Sequence, residues 1–213
     1  MAAAPKKIWG GLLLVTTALA LAAALTAAQP ARAGLLGTGA AAYCDPTPSQ
    51  PFARWNDRSN YALVPGGTFE SGTPAWTLRG ASIVSGNETS YVHSTSDKRS
   101  LYLPSGSYAV SPTMCFALGD WHARFMVKNV GSASGRLDVS VVVPSLVGGL
   151  LTVLDGGTIS ADGTWQPSPR LELLLCNITS LVGTRAVAFR FTPVGFGAAF
   201  QVDDVYLDPW VSV

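Results

Sequence analysis

From Tyr61 onward, short apolar or alternating runs recur between Gly, Pro, Asn, Asp and Ser, the punctuation of an all-β domain. The pattern predicts strands over 61–64, 67–70, 75–79, 81–85, 100–103, 107–118, 121–129, 136–143, 150–154, 157–160, 170–176, 185–192 and 198–207, with almost no helix. The uncharged stretch 139–154 contains Pro144, Gly148 and Gly149, so it should break into two strands around a turn. In 185–191, Val187, Phe189 and Phe191 share one face while Arg185, Ala186, Ala188 and Arg190 supply the rest. One-sided burial of this kind belongs to an antiparallel β-sandwich.

The last strand, Phe200 to Leu207, breaks the alternation. Phe200, Val202 and Tyr206 share a face with Asp204, whereas Val205 and Leu207 share one with Asp203. Either a bulge shifts the phase or both faces are covered. Two adjacent carboxylates in an apolar run are costly to bury without a cationic or hydrogen-bonding partner. Glu70, about 130 residues upstream beside Phe69, is the expected partner in a closed sandwich.

The N-terminus reads differently. Lys6 and Lys7 precede an uncharged Leu- and Ala-rich run, and Ala31-Arg32-Ala33 offers a small-x-small cleavage pattern, so 1–33 reads as a signal peptide. An uncleaved anchor is the alternative. Tyr43 before Cys44 argues against a lipoprotein. Residues 34–60 form an irregular, Pro-containing arm, in which Phe52, Trp55 and Tyr61 suit a strap plugging aromatics into a sandwich domain over 61–213. The expected product is secreted, free of the membrane after cleavage, and monomeric. Without Lys6, Lys7 and Arg32, the 14 basic residues fall to 11 against 13 acidic ones, a formal charge near −2 that argues against a nucleic-acid partner. Export favours oxidation of the three cysteines. A Cys44–Cys115 bridge would pin the arm and leave Cys176 a buried thiol; Cys115–Cys176 is the competing pair.

Gly66-Gly67-Thr68-Phe69-Glu70-Ser71-Gly72 with Trp76, Asp162-Gly163-Thr164-Trp165, and the closing strand together resemble carbohydrate-binding modules built on the galactose-binding-like jelly roll. The chain also resembles a group of secreted actinobacterial proteins, through Tyr43-Cys44, Phe52, Trp55, Tyr61, Pro65-Gly66-Gly67, Phe69-Glu70 and 203–209; that likeness carries no activity with it. The jelly-roll resemblance implies a structural Ca²⁺ tying first strand to last, with Glu70 and Asp203 or Asp204 as ligands. Pro65 stands where the family's motif opens on Asn. In the alternative, Glu70 caps a turn and the aspartates accept hydrogen bonds from backbone N–H groups or from Arg190 or Arg79.

Sugar recognition needs flat aromatic faces beside planar polar groups. Trp76 and Trp165 fall in motifs where the ring packs inside, and Trp210 is expected to cover the sandwich end. Trp121, between Asp120 and His122, could join Tyr91, His93 and Asp120 in a polar-aromatic site for a polysaccharide or cell-envelope glycan. The plain alternative is that these are ordinary loop residues. The chain holds no Gly-x-Ser-x-Gly elbow, His-Glu-x-x-His helix, phosphate-binding loop or Cys/His zinc spacing. The readings are therefore a non-catalytic carbohydrate-binding module, a cell-surface structural or protein-interaction domain, and, last, a two-carboxylate glycosidase.

Overall fold

The computed structural model describes Met1 and residues 47–71, 75–116, 122–144, 151–172 and 185–208. The chain divides into two compact units, Met1–Leu35 and Leu36–Val213, and all the regular structure described lies in the second. The leader, Cys44, Asp120, Trp121, Cys176 and Trp210 lie outside the described residues. Among the described residues, no helix is long and apolar enough to cross a membrane.

Among the described residues, a 3₁₀ turn, Ala53–Trp55, precedes thirteen strands: β1 (Ala62–Leu63), β2 (Thr77–Arg79), β3 (Ser82–Ser85), β4 (Arg99–Leu103), β5 (Tyr108–Val110), β6 (Met114–Phe116), β7 (His122–Asn129), β8 (Arg136–Pro144), β9 (Leu151–Ile159), β10 (Gln166–Pro167), β11 (Leu171–Glu172), β12 (Arg185–Val194) and β13 (Phe200–Leu207). They form two antiparallel sheets. The seven-stranded sheet runs β10-β7-β13-β4-β3, with β1 on β13 and β11 on β7. The six-stranded sheet runs β2-β5-β12-β8-β9, with β6 on β12. The chain crosses repeatedly from one sheet to the other, as in a jelly roll.

Alternation explains the core. Leu137, Val139 and Val141 of β8 and Val187, Phe189 and Phe191 of β12 meet Phe125 and Val127 of β7 and Phe200 and Val202 of β13 in one buried cluster. Phe191 bridges the layers, edge to face with Phe125 at 5.1 Å and stacked on Trp76 at 6.1 Å. A fully buried Phe contributes about 2–3 kcal/mol from apolar area alone.

The untidy last strand is a bulge whose two faces are also both covered. Asp203 pairs with Met126 and Tyr206 with Arg124, so β13 uses one residue more than β7 over that interval. Asp204 takes up the extra residue at φ 47°. The phase therefore flips, and Phe200 and Val202 before the bulge face the same core as Val205 and Leu207 after it.

The expected strand 67–70 is instead a pair of turns, closed by Gly67 N–H to Val64 O and Phe69 N–H to Gly66 O. Gly67 lies against β13; a Cβ there would stand 2.8 Å from Val64 O and 2.9 Å from Val205 O. The run 107–118 splits at Ser111-Pro112, and 150–154 joins 157–160 into β9 through Gly156 and Gly157.

The arm packs as a strap, though on the outside of the sandwich. Phe52 and Tyr61 are fully buried with Met126 and Tyr206, side chains of β7 and β13 that point away from the main core. Asp57 clasps it. Its carboxylate accepts hydrogen bonds from Tyr61 Oη (2.7 Å), Ser59 N (3.2 Å), Arg170 Nε (3.0 Å) and Nη2, and Arg124 Nη1. Burial pushes the Asp57 carboxyl up, but these donors outweigh it and hold it well below the usual carboxylate range. Cys115, on β6, is disulfide-bonded, and neither other cysteine is among the described residues.

Candidate functional site

The two sheets differ in what covers their outer faces. The strap closes the seven-stranded sheet, whereas the six-stranded sheet turns a polar face outward. With Phe189 and Phe191 in the core, alternation sends Arg190 and Thr192 to the other side. The register then assembles two rows. One holds Thr77, Val110, Arg190, Ser140 and Asp155, paired in that order across β2, β5, β12, β8 and β9. In the second, Arg79 faces Tyr108, and Thr192 faces Asp138, which faces Thr158.

At the centre, the Arg190 guanidinium carbon lies 4.2 Å from the Tyr108 ring centroid. Stacking holds the fork flat and fixes where its donors point. Arg190 Nε is buried without a hydrogen-bond partner. Beside it, Ser140 Oγ donates to Asp138 Oδ2 at 2.9 Å. The face thus offers an aromatic ring, two guanidiniums, two carboxylates and several hydroxyls.

A second cluster lies where the β3–β4 loop packs on the bulge of β13. Fully buried Glu88 organises this loop: Oε2 accepts Ser90 N at 2.5 Å and Oε1 accepts Val92 N. Tyr91 between them is forced to φ 51° and stands 49% exposed. Glu88 N donates to Asp203 Oδ2 (3.1 Å), Asp204 N to Asp203 Oδ1 (2.9 Å), and His93 N to Asp204 Oδ2 (3.3 Å). His93 Nδ1 and Asp97 Oδ2 are 2.7 Å apart. Burial pushes Asp203 up to about 9, with the charge of Asp204 adding to it. Asp204 rises to about 7 through burial and the charge of Glu88.

Of the residues expected to bind a glycan, Tyr91 and His93 share this loop, and Asp120 and Trp121 lie outside the described residues. The carboxylates of the implied calcium tie are not gathered. Glu70 Oε1 accepts the backbone N–H groups of Lys98 (2.7 Å) and Arg99 (2.6 Å), capping the entry to β4, and both Asp203 oxygens are taken by N–H donors. Among the described residues, the group able to hold a metal is His93, Asp97 and Asp204, without Glu70 or Asp203. Glu70, Asp203 and Asp204 thus do not form one such group among the described residues, and the hydrogen bonds of Glu70 are those of the turn-capping alternative. Arg79 and Arg190, considered as partners for the aspartates, belong to the other sheet. Trp76 is core at 7% exposure; Trp165 packs half-buried under the strap, with Lys128 Nζ 4.9 Å from its ring centroid.

Sequence reasoning weighed Glu88 only as a carboxylate of the glycosidase alternative and missed Asp97; both sit in a loop without periodicity. It also passed over Tyr108 and Asp138, which alternation does place opposite the core positions Ala109, Leu137 and Val139.

No family model matches the chain, and no curated protein matches it. Carbohydrate-binding modules are among the solved structures similar to it. They include TmCBM61 in complex with β-1,4-galactotriose (14% identity, TM-score 0.43, covering 70% of this chain and 98% of that one). The CBM22-1 xylan-binding domain of Paenibacillus barcinonensis Xyn10C shows 14% identity and a TM-score of 0.44, covering 68% and 94%. The family 11 module of the cellulosomal cellulase Lic26A-Cel5E of Clostridium thermocellum shows 14% identity and a TM-score of 0.40, covering 72% and 96%.

Proposed function

We propose that this chain is a secreted, non-catalytic carbohydrate-binding module, and that its binding surface is the outer face of the six-stranded sheet. The observation that carries the reading is the stacked Tyr108–Arg190 pair, whose Arg190 Nε has no partner, flanked by Asp138 and Ser140. A pyranose presents an apolar face and a rim of hydroxyls, which are neutral groups that both donate and accept. An aromatic ring beside an immobilised guanidinium and a carboxylate complements both aspects. The open, strand-built face suits an extended polymer, because neighbouring strands about 4.8 Å apart repeat polar positions along its length.

The test is binding of the full-length chain to soluble β-linked galactan, xylan and mixed-linkage glucan, by calorimetry or affinity electrophoresis. Tyr108→Ala and Arg190→Ala should each weaken binding of the recognised polymer by roughly tenfold, with unfolding midpoints near wild type. Tyr91→Ala should leave it unchanged. No reducing sugar should be released on incubation. Undiminished binding in both sheet-face variants, or loss only in Tyr91→Ala, would move the surface to the β3–β4 loop; binding to no polymer would sink the reading.

A further inference from the structure

The cluster under the β3–β4 loop has a chemistry that the sheet face does not use. His93, Asp97 and Asp204 bring one ligand atom each to within 4.8 Å of one another. Asp204 is wholly buried, and its Oδ1 has no hydrogen-bond partner. A buried carboxylate oxygen without a donor or cation is costly, so it calls for an explanation. Its neighbours make the contrast plain. Both oxygens of Glu88 and both of Asp203 accept backbone N–H groups. The fold thus supplies donors to the two carboxylates beside the cluster and leaves an oxygen bare on the one that reaches His93 and Asp97.

We propose that His93, Asp97 and Asp204 form a binding site for one divalent cation of the zinc class. One imidazole and two carboxylates make a mixed nitrogen-oxygen set, which suits Zn²⁺ better than Ca²⁺, an ion that wants about six to eight oxygens. His93 Nδ1 and Asp97 Oδ2 already lie 2.7 Å apart, so both side chains face the same point. Binding uses a lone pair of the neutral imidazole and places the cation among three donors. The side chain of His93 is 40% exposed and that of Asp97 6%, so ions enter from the loop side, where water completes the coordination. Glu88 acts as a positioning residue, because its two hydrogen bonds set the path of the loop that carries His93. The ion would join that loop to the closing strand, 111 residues away in sequence.

The experiment strips the full-length chain with chelator, dialyses it against Zn²⁺, Ca²⁺ or Mn²⁺, and measures bound metal and the thermal midpoint. About one zinc per chain should be retained, with the midpoint raised by roughly 5–10 °C at free zinc about a hundredfold above Kd. His93→Ala and Asp97→Asn should each lower zinc affinity at least about tenfold. Asp204→Asn should also lose zinc, yet be no less stable than the wild type when both are metal-free. That behaviour separates a ligand from a residue needed only for folding. No retained zinc would overturn the proposal, as would zinc binding untouched by His93→Ala and Asp97→Asn. Calcium binding lost only in Glu70→Gln would overturn it in favour of the tie that the sequence resemblance implies. Glycan binding through Tyr108 and Arg190 is measured separately and does not depend on the result.

Discussion

Replacing Asp57 with Ala should release the strap, and the structure sets the size of the effect. Asp57 is 2% exposed, and its carboxylate is the common acceptor of Tyr61, Arg124 and Arg170. Its removal strands the Arg124 guanidinium, whose side chain is 12% exposed and whose described salt bridge is this one. Breaking a buried pair from one side costs about 3–5 kcal/mol. The fully buried Tyr61 also loses its acceptor, at about 1 kcal/mol or more. Arg170, 43% exposed, adds less than about 1 kcal/mol because water screens it. These losses overlap, since water admitted for one guanidinium reaches the others, so the expected total is about 4 kcal/mol. For a domain of this size that lowers the midpoint by roughly 10 °C. Calorimetry or urea unfolding measures it. The pH profile checks the cause. Asp57 is held below its unfolded value, so its contribution is fully present above about pH 4 and disappears as pH falls. Wild type and variant should therefore converge in acid. The double variant Asp57→Ala, Arg124→Met should recover part of the loss, because it removes the stranded charge. A loss under about 1 kcal/mol, or no recovery in the double variant, would refute the clasp as the strap's anchor.

The β13 aspartates titrate with the opposite sign. Their folded pKa values, about 9 for Asp203 and about 7 for Asp204, lie above the unfolded value, so the metal-free fold takes up protons. Its stability should fall as pH rises from about 4 towards 9, by up to about 1.4 kcal/mol per pH unit for each proton; a flat profile in chelator would contradict this. Phe191→Ala should cost about 3–5 kcal/mol in denaturant unfolding, since the ring joins Trp76 to Phe125 across the layers. A cost below about 1 kcal/mol would mean that the two sheets do not share that core.

The strands were legible where one face is buried. In β8 and β12 the alternation of apolar and polar residues gives both the strand and the side chains that leave the core, so Arg190 was visible as an outward residue. The Asp203-Asp204 pair was legible as an anomaly, because two carboxylates in an apolar strand break the period. Their partners were not. Glu88 is 115 residues from Asp203, and a bond between a loop amide and a distant carboxylate leaves no local spacing to read. Glu70 was the expected partner because a short motif suggested it, yet its carboxylate meets nearer donors at the start of β4. The turn at 66–69 was read past although Pro65-Gly66-Gly67 is turn chemistry: Thr68 and Phe69 suit a strand, and the close approach of β13, which leaves Gly67 no room for a side chain, is not visible in the sequence.

Two arginines set the strap-covered sheet face apart from the proposed binding face. Arg124 and Arg190 both lie on central strands, and each holds its guanidinium over an aromatic ring, 4.9 Å from Phe52 and 4.2 Å from Tyr108. Stacking alone therefore does not distinguish them. What differs is where their donors go. Arg124 spends its donors inside the chain, Nη1 on Asp57 and Nε on Ser168 O at 3.0 Å, and the ring over it belongs to the strap that covers the sheet. Arg190 stacks on a ring of its own sheet and keeps Nε unspent. Arg190 Nε itself is closed to solvent, so a glycan hydroxyl over the six-stranded face would meet the outer nitrogens of the guanidinium, whereas on the other face the strap already supplies the acceptor. Exchanging the roles makes the argument testable: Arg124→Ala should lower stability without affecting glycan binding, and Arg190→Ala should lower binding without a comparable loss of stability. If both variants lost stability alone, the outer face of the six-stranded sheet would be a packing surface like its counterpart.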